Sequence, residues 1–225
     1  MTVKDAGASM SSARGRVRED VRRLILSGEL SPGMRLTQQQ LAKRFGVAQS
    51  VVRESLLELQ FSGLVEMVDN LGIFVSELDT NTLLQAYQVR EMLEGLAARI
   101  CCDTASRADI KALTDLADRI YQTGDAGQDV ERGKLDREFH HKTIMLSQNK
   151  ILERLTQAYH VLGTTVLVSR THDIIRAEHM SIVDAIASNN PDEAEKLARA
   201  HVAGARRVIL KQIAEENFQP KWVVD

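Results

Sequence analysis

Four side chains in the second half of the chain have the chemistry of a metal site. Asp136 and His140 are four residues apart, so on a helix they lie on one face. His179 and His201 each stand in an apolar stretch of a later predicted helix. Three imidazoles and one carboxylate directed into a helical interior suit Zn²⁺ or a similar borderline metal ion. Spacing alone leaves the alternative that each histidine is a hydrogen-bonded core residue.

Arg90 is a second unusual position, because it lies among apolar residues of a predicted helix. A buried guanidinium needs a carboxylate partner. Two alternatives follow: Glu94, one helical turn later, pairs with Arg90, or the carboxylate of a bound ligand does.

The segment 37–57, TQQQLAKRFGVAQSVVRESLL, has the spacing of a helix-turn-helix. A short helix, a turn at Gly46 and a second amphipathic helix fit it without spare residues. Gln49, Ser50 and Arg53 then lie at the exposed N-terminal end of the second helix. Glutamine can bond the N6/N7 edge of adenine, and arginine the O6/N7 edge of guanine. The alternative is an ordinary solvated face.

Three further basic residues are better placed to contact DNA phosphates, which set the register of a protein on the duplex rather than its sequence preference. These are Arg35, Lys43 and Arg44.

The apolar periodicity predicts a mostly α protein, with an N-terminal winged helix-turn-helix and a C-terminal all-α helical bundle. We place the DNA-binding domain at 12–77, with a first helix over about 12–27, the helix-turn-helix, and a hairpin within 64–76. The helical domain covers 79–217, with helices at about 79–103, 106–123, 128–147, 149–169, 171–189 and 191–216. We expect residues 1–11 to be disordered and 218–225 to form a loosely held tail.

Composition excludes other classes of protein. The net charge of -2 argues against a non-specific polycation, although a sequence-specific DNA binder need only be locally basic. Cys101 and Cys102 are adjacent, so on a helix they diverge by about 100° and form neither a metal pair nor a staple. Reduced thiols fit a cytoplasmic protein. No apolar run reaches the roughly 18 residues of a membrane span, so we expect no membrane partner.

Longer motifs resemble a known family. The segment ILSGELSPGMRLTQQQLAKRFGVAQSVVRESLLELQFSGLVE resembles the winged helix-turn-helix of the GntR family of bacterial transcription regulators. The second half resembles the effector domain of that family's FadR branch, called FCD, through VREMLEGLAARI, DREFHHKTIMLSQNKIL, AEHMSIVDAI and AEKLARAH. The resemblance covers about residues 12–212, and six bundle helices are similar to the shorter VanR-type arrangement.

The resemblance also implies roles for individual residues. Many members of the family bind a divalent metal ion, with an organic-acid effector beside it. The metal-binding positions fall on Asp136, His140, His179 and His201, and two effector-pocket positions fall on Arg90 and Asn149. The implied metal is zinc, or nickel or another transition metal.

The chain departs from the family pattern on the DNA-binding side. The family commonly has Ser-Arg-Thr-Pro-Val-Arg where residues 48–53 of this chain read AQSVVR. Gln49 therefore stands at the position of the family's first arginine. We therefore expect the operator to prefer adenine where relatives prefer guanine. The wing has no lysine or arginine between residues 64 and 76, so we expect little phosphate affinity from it.

The sequence thus predicts a homodimeric transcription regulator on a near-palindromic operator in double-stranded DNA. A small organic acid, bound by the metal and Arg90, would change the spacing of the two DNA-binding domains. One alternative is a metal-dependent hydrolase, in which the Asp/His3 site activates water. It would leave residues 12–76 without a role. Another is a bundle stapled by metal with no effector.

Overall fold

In the computed structural model, the backbone is described for residues 3–76, 80–163, 166–167, 170–218 and 221–222, and the side chains for 13–76, 80–156 and 170–218. The chain divides into two compact units, Met1–Asp79 and Thr80–Val223. Mostly helical structure with a small N-terminal sheet confirms the predicted fold class.

The first unit contains three helices and a small sheet. Its elements are α1 (Val3–Leu26), β1 (Arg35–Leu36), α2 (Gln38–Phe45), α3 (Gln49–Phe61), β2 (Val65–Val68) and β3 (Gly72–Val75). β2 and β3 form the predicted hairpin, with Val65 opposite Val75. The sequence did not predict β1, which adds a third antiparallel strand in the order β1-β3-β2. Two residues are too few to display a strand periodicity.

The helix-turn-helix forms as predicted, and both ends of its first helix, α2, have a local cap. Thr37 accepts a hydrogen bond from the Gln40 backbone N–H at 3.2 Å and so begins α2. Gly46 ends α2 with a φ of 64°, a left-handed conformation in which a side chain is strained. The inner side of α3 is buried through Val52 and Leu56.

α1 begins at Val3 rather than at about residue 12, so the prediction of disorder over 1–11 is wrong for residues 3–11. This segment contains no proline, and alanine, lysine and methionine within it favour a helix. The i to i-4 hydrogen bonds therefore continue towards the N-terminus. Residues 1–2 lie outside the described part of the chain.

The second unit is a helical bundle. Its helices are α4 (Thr80–Thr104), α5 (Arg107–Asp125), α6 (Asp129–Leu146), α7 (Lys150–Gly163), α8 (His172–Ala187) and α9 (Pro191–Ala214). Caps explain several boundaries: Ser106 and Asp109 form a capping box at α5, and the Asn190 side chain accepts from Glu193 N–H at the start of α9.

Two predictions at the end of this unit need correction. The helix predicted over 149–169 ends at Gly163, and β4 (Val166–Leu167) follows it. The tail contains β5 (Lys221–Trp222), which pairs antiparallel with β4, so it is not wholly loose. This pairing joins segments that are distant in sequence, and no local pattern reports it. Residues 164–165, 168–169, 219–220 and 223–225 lie outside the described chain.

The core of the second unit brings α6, α8 and α9 together. One apolar cluster joins α5, α6 and α8 and includes Ile120, Phe139 and Val183. Another joins α4, α8 and α9 and includes Cys101, Ile182 and Ala198. Among the described helices, none is both long and apolar enough to cross a membrane.

Candidate metal centre and nucleic-acid interface

The four sequence-predicted metal ligands converge in the second unit. One ligand atom from each of Asp136, His140, His179 and His201 lies within 4.8 Å of the others. The Nε2 atoms of His140 and His201 are 3.3 Å apart, and Asp136 oxygens lie 3.6 Å from His140 Nε2 and 3.5 Å from His179 Nε2. All three imidazoles are buried. Three nitrogens and one carboxylate oxygen from α6, α8 and α9 can therefore surround one ion.

A carboxylate contacts the ring nitrogen of His140 that lies away from the other ligands. Its Nδ1 lies 2.7 Å from Glu94 Oε2 on α4, so Nε2 is the atom that faces the other ligands. Glu94 in turn accepts a hydrogen bond from Arg90 Nε at 2.7 Å. Arg90 is buried, and its guanidinium lies 4.9 Å from the ring centre of Tyr87.

His201 has a matching arrangement on the other side of the site. Its Nδ1 lies 2.7 Å from Glu178 Oε2, and Glu178 Oε1 accepts a hydrogen bond from Arg170 Nη2. Arg170 Nη1 also approaches the backbone oxygen of His201 at 3.5 Å. The absence of a side chain at Gly204 leaves room for this guanidinium, because a Cβ there would lie 3.2 Å from Arg170 Nη2.

His179 differs from the other two histidines. It is fully buried, and neither of its ring nitrogens has a hydrogen-bond partner within the described structure. A buried polar group without a partner costs about 1–3 kcal/mol. An ion among the four ligands would satisfy His179 Nε2, and the donor set suits a borderline divalent metal. The residues present therefore fit the implied metal.

Protonation of the site without metal follows from the same contacts. Burial alone lowers the pKa of His140, but Glu94 and Asp136 outweigh it and raise this pKa to about 9. Burial raises the pKa of Asp136 by itself, but positive His140 keeps it well below its usual range. Burial also lowers the pKa values of His179 and His201. His140 is therefore the charged imidazole of the site at neutral pH.

A small cavity lies beside the tetrad. Its volume is about 10 Å³, roughly what one water molecule requires. The lining consists of apolar and polar side chains from α4, α6, α8 and α9: Glu94, Phe139, His140, Thr143, Ile144, Ile182, Ala198 and His201.

The two sequence-predicted effector residues have partners within the protein. Arg90 pairs with Glu94, the first of the two alternatives. Asn149 Oδ1 accepts from the backbone N–H groups of Ile151 and Leu152, both at 3.1 Å, so it caps α7. Their roles towards an effector stay predictions.

Sequence reasoning missed Glu178 and Arg170, and considered Glu94 only as a partner for Arg90. Glu178 precedes a histidine in sequence, which is a weak signal. Arg170 lies just before α8 and gives no periodic signal at all.

In the first unit, the three predicted base-reading residues lie on one exposed surface. Gln49, Ser50 and Arg53 are exposed on the first turns of α3. Ser55, fully buried on the opposite side, bonds to the backbone oxygen of Arg14 at 3.0 Å and anchors α3 to α1. The N-terminal end of α3 is exposed.

The three predicted phosphate contacts differ from one another. Lys43 and Arg35 are exposed, and the Arg35 guanidinium lies against the wing at Gly72. Arg44 is paired with Glu29 at 2.7 Å, so part of its charge is compensated.

Comparisons with known proteins agree with this division. Residues 13–75 match the family model "Bacterial regulatory proteins, gntR family", and residues 85–204 match the FCD domain. The HTH-type transcriptional regulator LutR of Bacillus subtilis is 30% identical over 227 residues, covering 87% of this chain and 100% of that protein. The Nta operon transcriptional regulator of Aminobacter aminovorans is 29% identical over 184 residues, covering 80% of this chain and 86% of the relative.

Solved structures show the same fold. E. coli McbR/YncC aligns with a TM-score of 0.67 at 19% identity, covering 92% of this chain and 99% of that one. A putative GntR transcriptional regulator from Rhodococcus sp. RHA1 aligns with a TM-score of 0.65 at 24% identity, covering 89% and 98%.

Proposed function

The chain belongs to the GntR family of bacterial regulators and carries an FCD domain, and from this premise we propose that a small organic acid bound beside a metal ion controls its binding to an operator. DNA-binding transcription regulation itself follows from membership of the family. The acid, the metal ion and the dimer are the parts that we propose.

The observation that carries the metal-site proposal is the convergence of Asp136 with three buried imidazoles, one of which lacks hydrogen-bond partners within the described chain. Asp136, His140, His179 and His201 would hold the ion, with zinc the first candidate and nickel an alternative. When bound, the ion would supply a positive charge that attracts the carboxylate of an acid.

The size of the cavity supports a link between acid binding and conformational change. About 10 Å³ accommodates a water molecule but no organic acid. An acid can therefore enter only if lining side chains move. A full switch of operator occupancy needs about 5.5 kcal/mol of differential affinity. A single charge-assisted bond contributes about 1.5–3 kcal/mol, so several contacts must change together.

On the DNA side, we propose that Gln49, Ser50 and Arg53 contact bases and that Arg35, Lys43 and Arg44 contact phosphates. Their exposure on α2, α3 and β1 supports this assignment. Gln49 would prefer adenine.

A homodimer is supported by exposed apolar side chains on two packed helices of the second unit. α4 and α7 contact each other through Ala97 and Leu152. The same helices expose Met92, Leu96, Ile151 and Leu155. A second copy would cover such a surface and match the two-fold symmetry of a near-palindromic operator.

The hydrolase alternative is excluded by the comparisons, because both matching models are regulatory domains and the relatives are named transcriptional regulators. The metal-stapled bundle without an effector remains the rival to test.

The test is metal analysis of the purified chain, followed by a thermal-shift screen of small organic acids at fixed metal concentration. We expect about one equivalent of divalent metal per chain and at least one acid that raises the melting temperature. If the chain contains metal but no acid raises the melting temperature, the result favours a bundle that metal staples without an effector. If the chain contains no metal, the result contradicts the metal site.

A further inference from the structure

The outer ring of the candidate metal centre repeats one motif on two sides. On one side Arg90 bonds to Glu94, and Glu94 bonds to Nδ1 of His140. On the other side Arg170 bonds to Glu178, and Glu178 bonds to Nδ1 of His201. In each case the remaining nitrogen, Nε2, faces the other ligands.

From this geometry we propose that Glu94 and Glu178 are positioning residues that fix the ring orientation and tautomer of His140 and His201 for metal binding. We call the two arrangements, Arg90–Glu94 and Arg170–Glu178, the carboxylate clamps. This inference rests on the proposed metal site and assigns a role in it to four residues outside the tetrad.

The physical basis is the chemistry of imidazole. A neutral imidazole has two tautomers, and only the one protonated on Nδ1 presents the Nε2 lone pair to a metal. A carboxylate at Nδ1 selects that tautomer and increases the basicity of the ligand nitrogen. Each arginine keeps its glutamate charged and in place, because a buried carboxylate without a partner is costly.

The clamps differ in two ways that predict unequal effects. Glu94 is buried and belongs to α4, four residues after its arginine. The Glu178 side chain is 31% exposed, so solvent can replace part of its bond. Glu94 is therefore the stronger clamp. His179 has no carboxylate clamp, so packing sets the orientation of its ring. The ring centres of His179 and Phe139 are 4.2 Å apart.

The clamp proposal also explains why Arg90 is buried. Its Nε is engaged by Glu94, and through Glu94 it supports His140. Arg90 thus acts on the metal site through a glutamate, in addition to any contact with an effector.

The test compares Zn²⁺ affinity in full-length wild type and three glutamate variants, by competition with a chromophoric chelator. Glu94→Gln and Glu178→Gln remove the clamp charges. Glu91→Gln is the matched control, because Glu91 also lies on α4 and contacts two arginines, Arg199 and Arg206, at 3.8 Å and 3.4 Å. Outer-shell partners of metal ligands are worth about 10–100-fold in metal affinity. We expect Glu94→Gln at the upper end of that range, Glu178→Gln at the lower end, and Glu91→Gln within about threefold of wild type.

A second measurement separates positioning from stability. In ¹⁵N-labelled, zinc-loaded wild type, the ring Nδ1–H protons of His140 and His201 should be visible by NMR as slowly exchanging signals. Glu94→Gln should remove the His140 signal and Glu178→Gln the His201 signal, with both retained in Glu91→Gln.

The proposal is overturned if both clamp variants bind Zn²⁺ within threefold of wild type, or if Glu91→Gln weakens binding as much as they do. If Glu94→Gln does not fold, the part-exposed Glu178→Gln decides by the same criteria. Failure of wild type itself to bind Zn²⁺ or another divalent ion would contradict the proposed function instead.

Discussion

The proposed DNA-facing surface and the candidate metal centre use charged and polar side chains in opposite ways. On α3, Gln49, Ser50 and Arg53 are exposed and face solvent, where the only cost of holding them is side-chain entropy. At the metal centre, His140 and Glu94 are buried and bond to each other across two helices, whereas the buried nitrogens of His179 have no hydrogen-bond partner among the described residues.

This difference determines how substitutions should behave. Exposed ion pairs such as Arg44–Glu29 are worth about 0–1 kcal/mol, so changes on the DNA-facing surface should alter DNA affinity and leave stability nearly unchanged. Buried polar networks are cooperative, so a change at the metal centre should affect metal binding and stability together.

The largest expected effect is on DNA binding. Arg53→Ala removes a base contact from each half-site, at about 1–3 kcal/mol each, so a dimer should lose about 2–6 kcal/mol, or from roughly 30-fold to over 10⁴-fold in operator affinity. Gel shift measures the loss, with Gln60→Ala, exposed near the end of the same helix, as the control. The melting temperature and metal content should not change. Unchanged operator affinity would remove Arg53 from the reading surface.

The metal centre should respond in the opposite pattern. His179→Leu removes a metal ligand and should weaken Zn²⁺ binding by more than about 100-fold, beyond the 10–100-fold effect of outer partners. The metal-free protein should be at least as stable as wild type, because the substitution removes two buried nitrogens that lack partners among the described residues. Metal titration and thermal unfolding test this, with exposed His141→Leu as the control. Retained Zn²⁺ affinity would contradict the tetrad.

The pH dependence sharpens the comparison, because the metal centre contains histidines and the DNA-binding unit has none. With the pKa of His140 at about 9 and the pKa values of His179 and His201 lowered, metal binding at pH 7.5 should release one proton. Affinity for metal should rise about tenfold per pH unit up to about pH 9. Calorimetry in buffers of different ionisation enthalpy counts the protons, and a count of two or three would contradict this assignment.

His140 also links the stability of the metal-free protein to pH. The folded-state pKa of His140 is raised above its ordinary value of 6.5. Protonated His140 therefore contributes fully to the free energy of unfolding below pH 6.5, and this contribution is lost as the pH rises through about 9. Unfolding in the presence of a chelator should show stability falling across this range, and a rise would contradict it.

The smallest expected effect is at the pair Arg44–Glu29. Glu29→Gln releases Arg44 and removes a negative charge near the phosphates, so operator affinity should increase by up to about fivefold. The salt dependence of binding should become steeper. A decrease in affinity would show that Glu29 positions Arg44 rather than competing with DNA for it.

The sequence predicted most of what local chemistry determines. Gly46, Thr37 and Asn190 mark helix ends, and the bundle helices other than α7 begin and end within about two residues of their predicted positions. The shared face of Asp136 and His140 follows from their spacing.

What the sequence did not predict depends on contacts between distant segments. Pairing of β4 with β5, and the approach of Glu94 and Glu178 to histidines of other helices, leave no periodic pattern. Convergence of His179 and His201 on Asp136 was expected only through the resemblance to a family, because helix packing, not spacing, brings them together.

The most direct test of the account is the operator affinity of zinc-loaded wild type and of His179→Leu, each with and without an acid selected by thermal shift. The account predicts a change of about 5–150-fold in wild type, the usual range of coupling between two sites, and no change in the variant. An equal change in both proteins, or none in wild type, would contradict control of DNA binding through the metal centre.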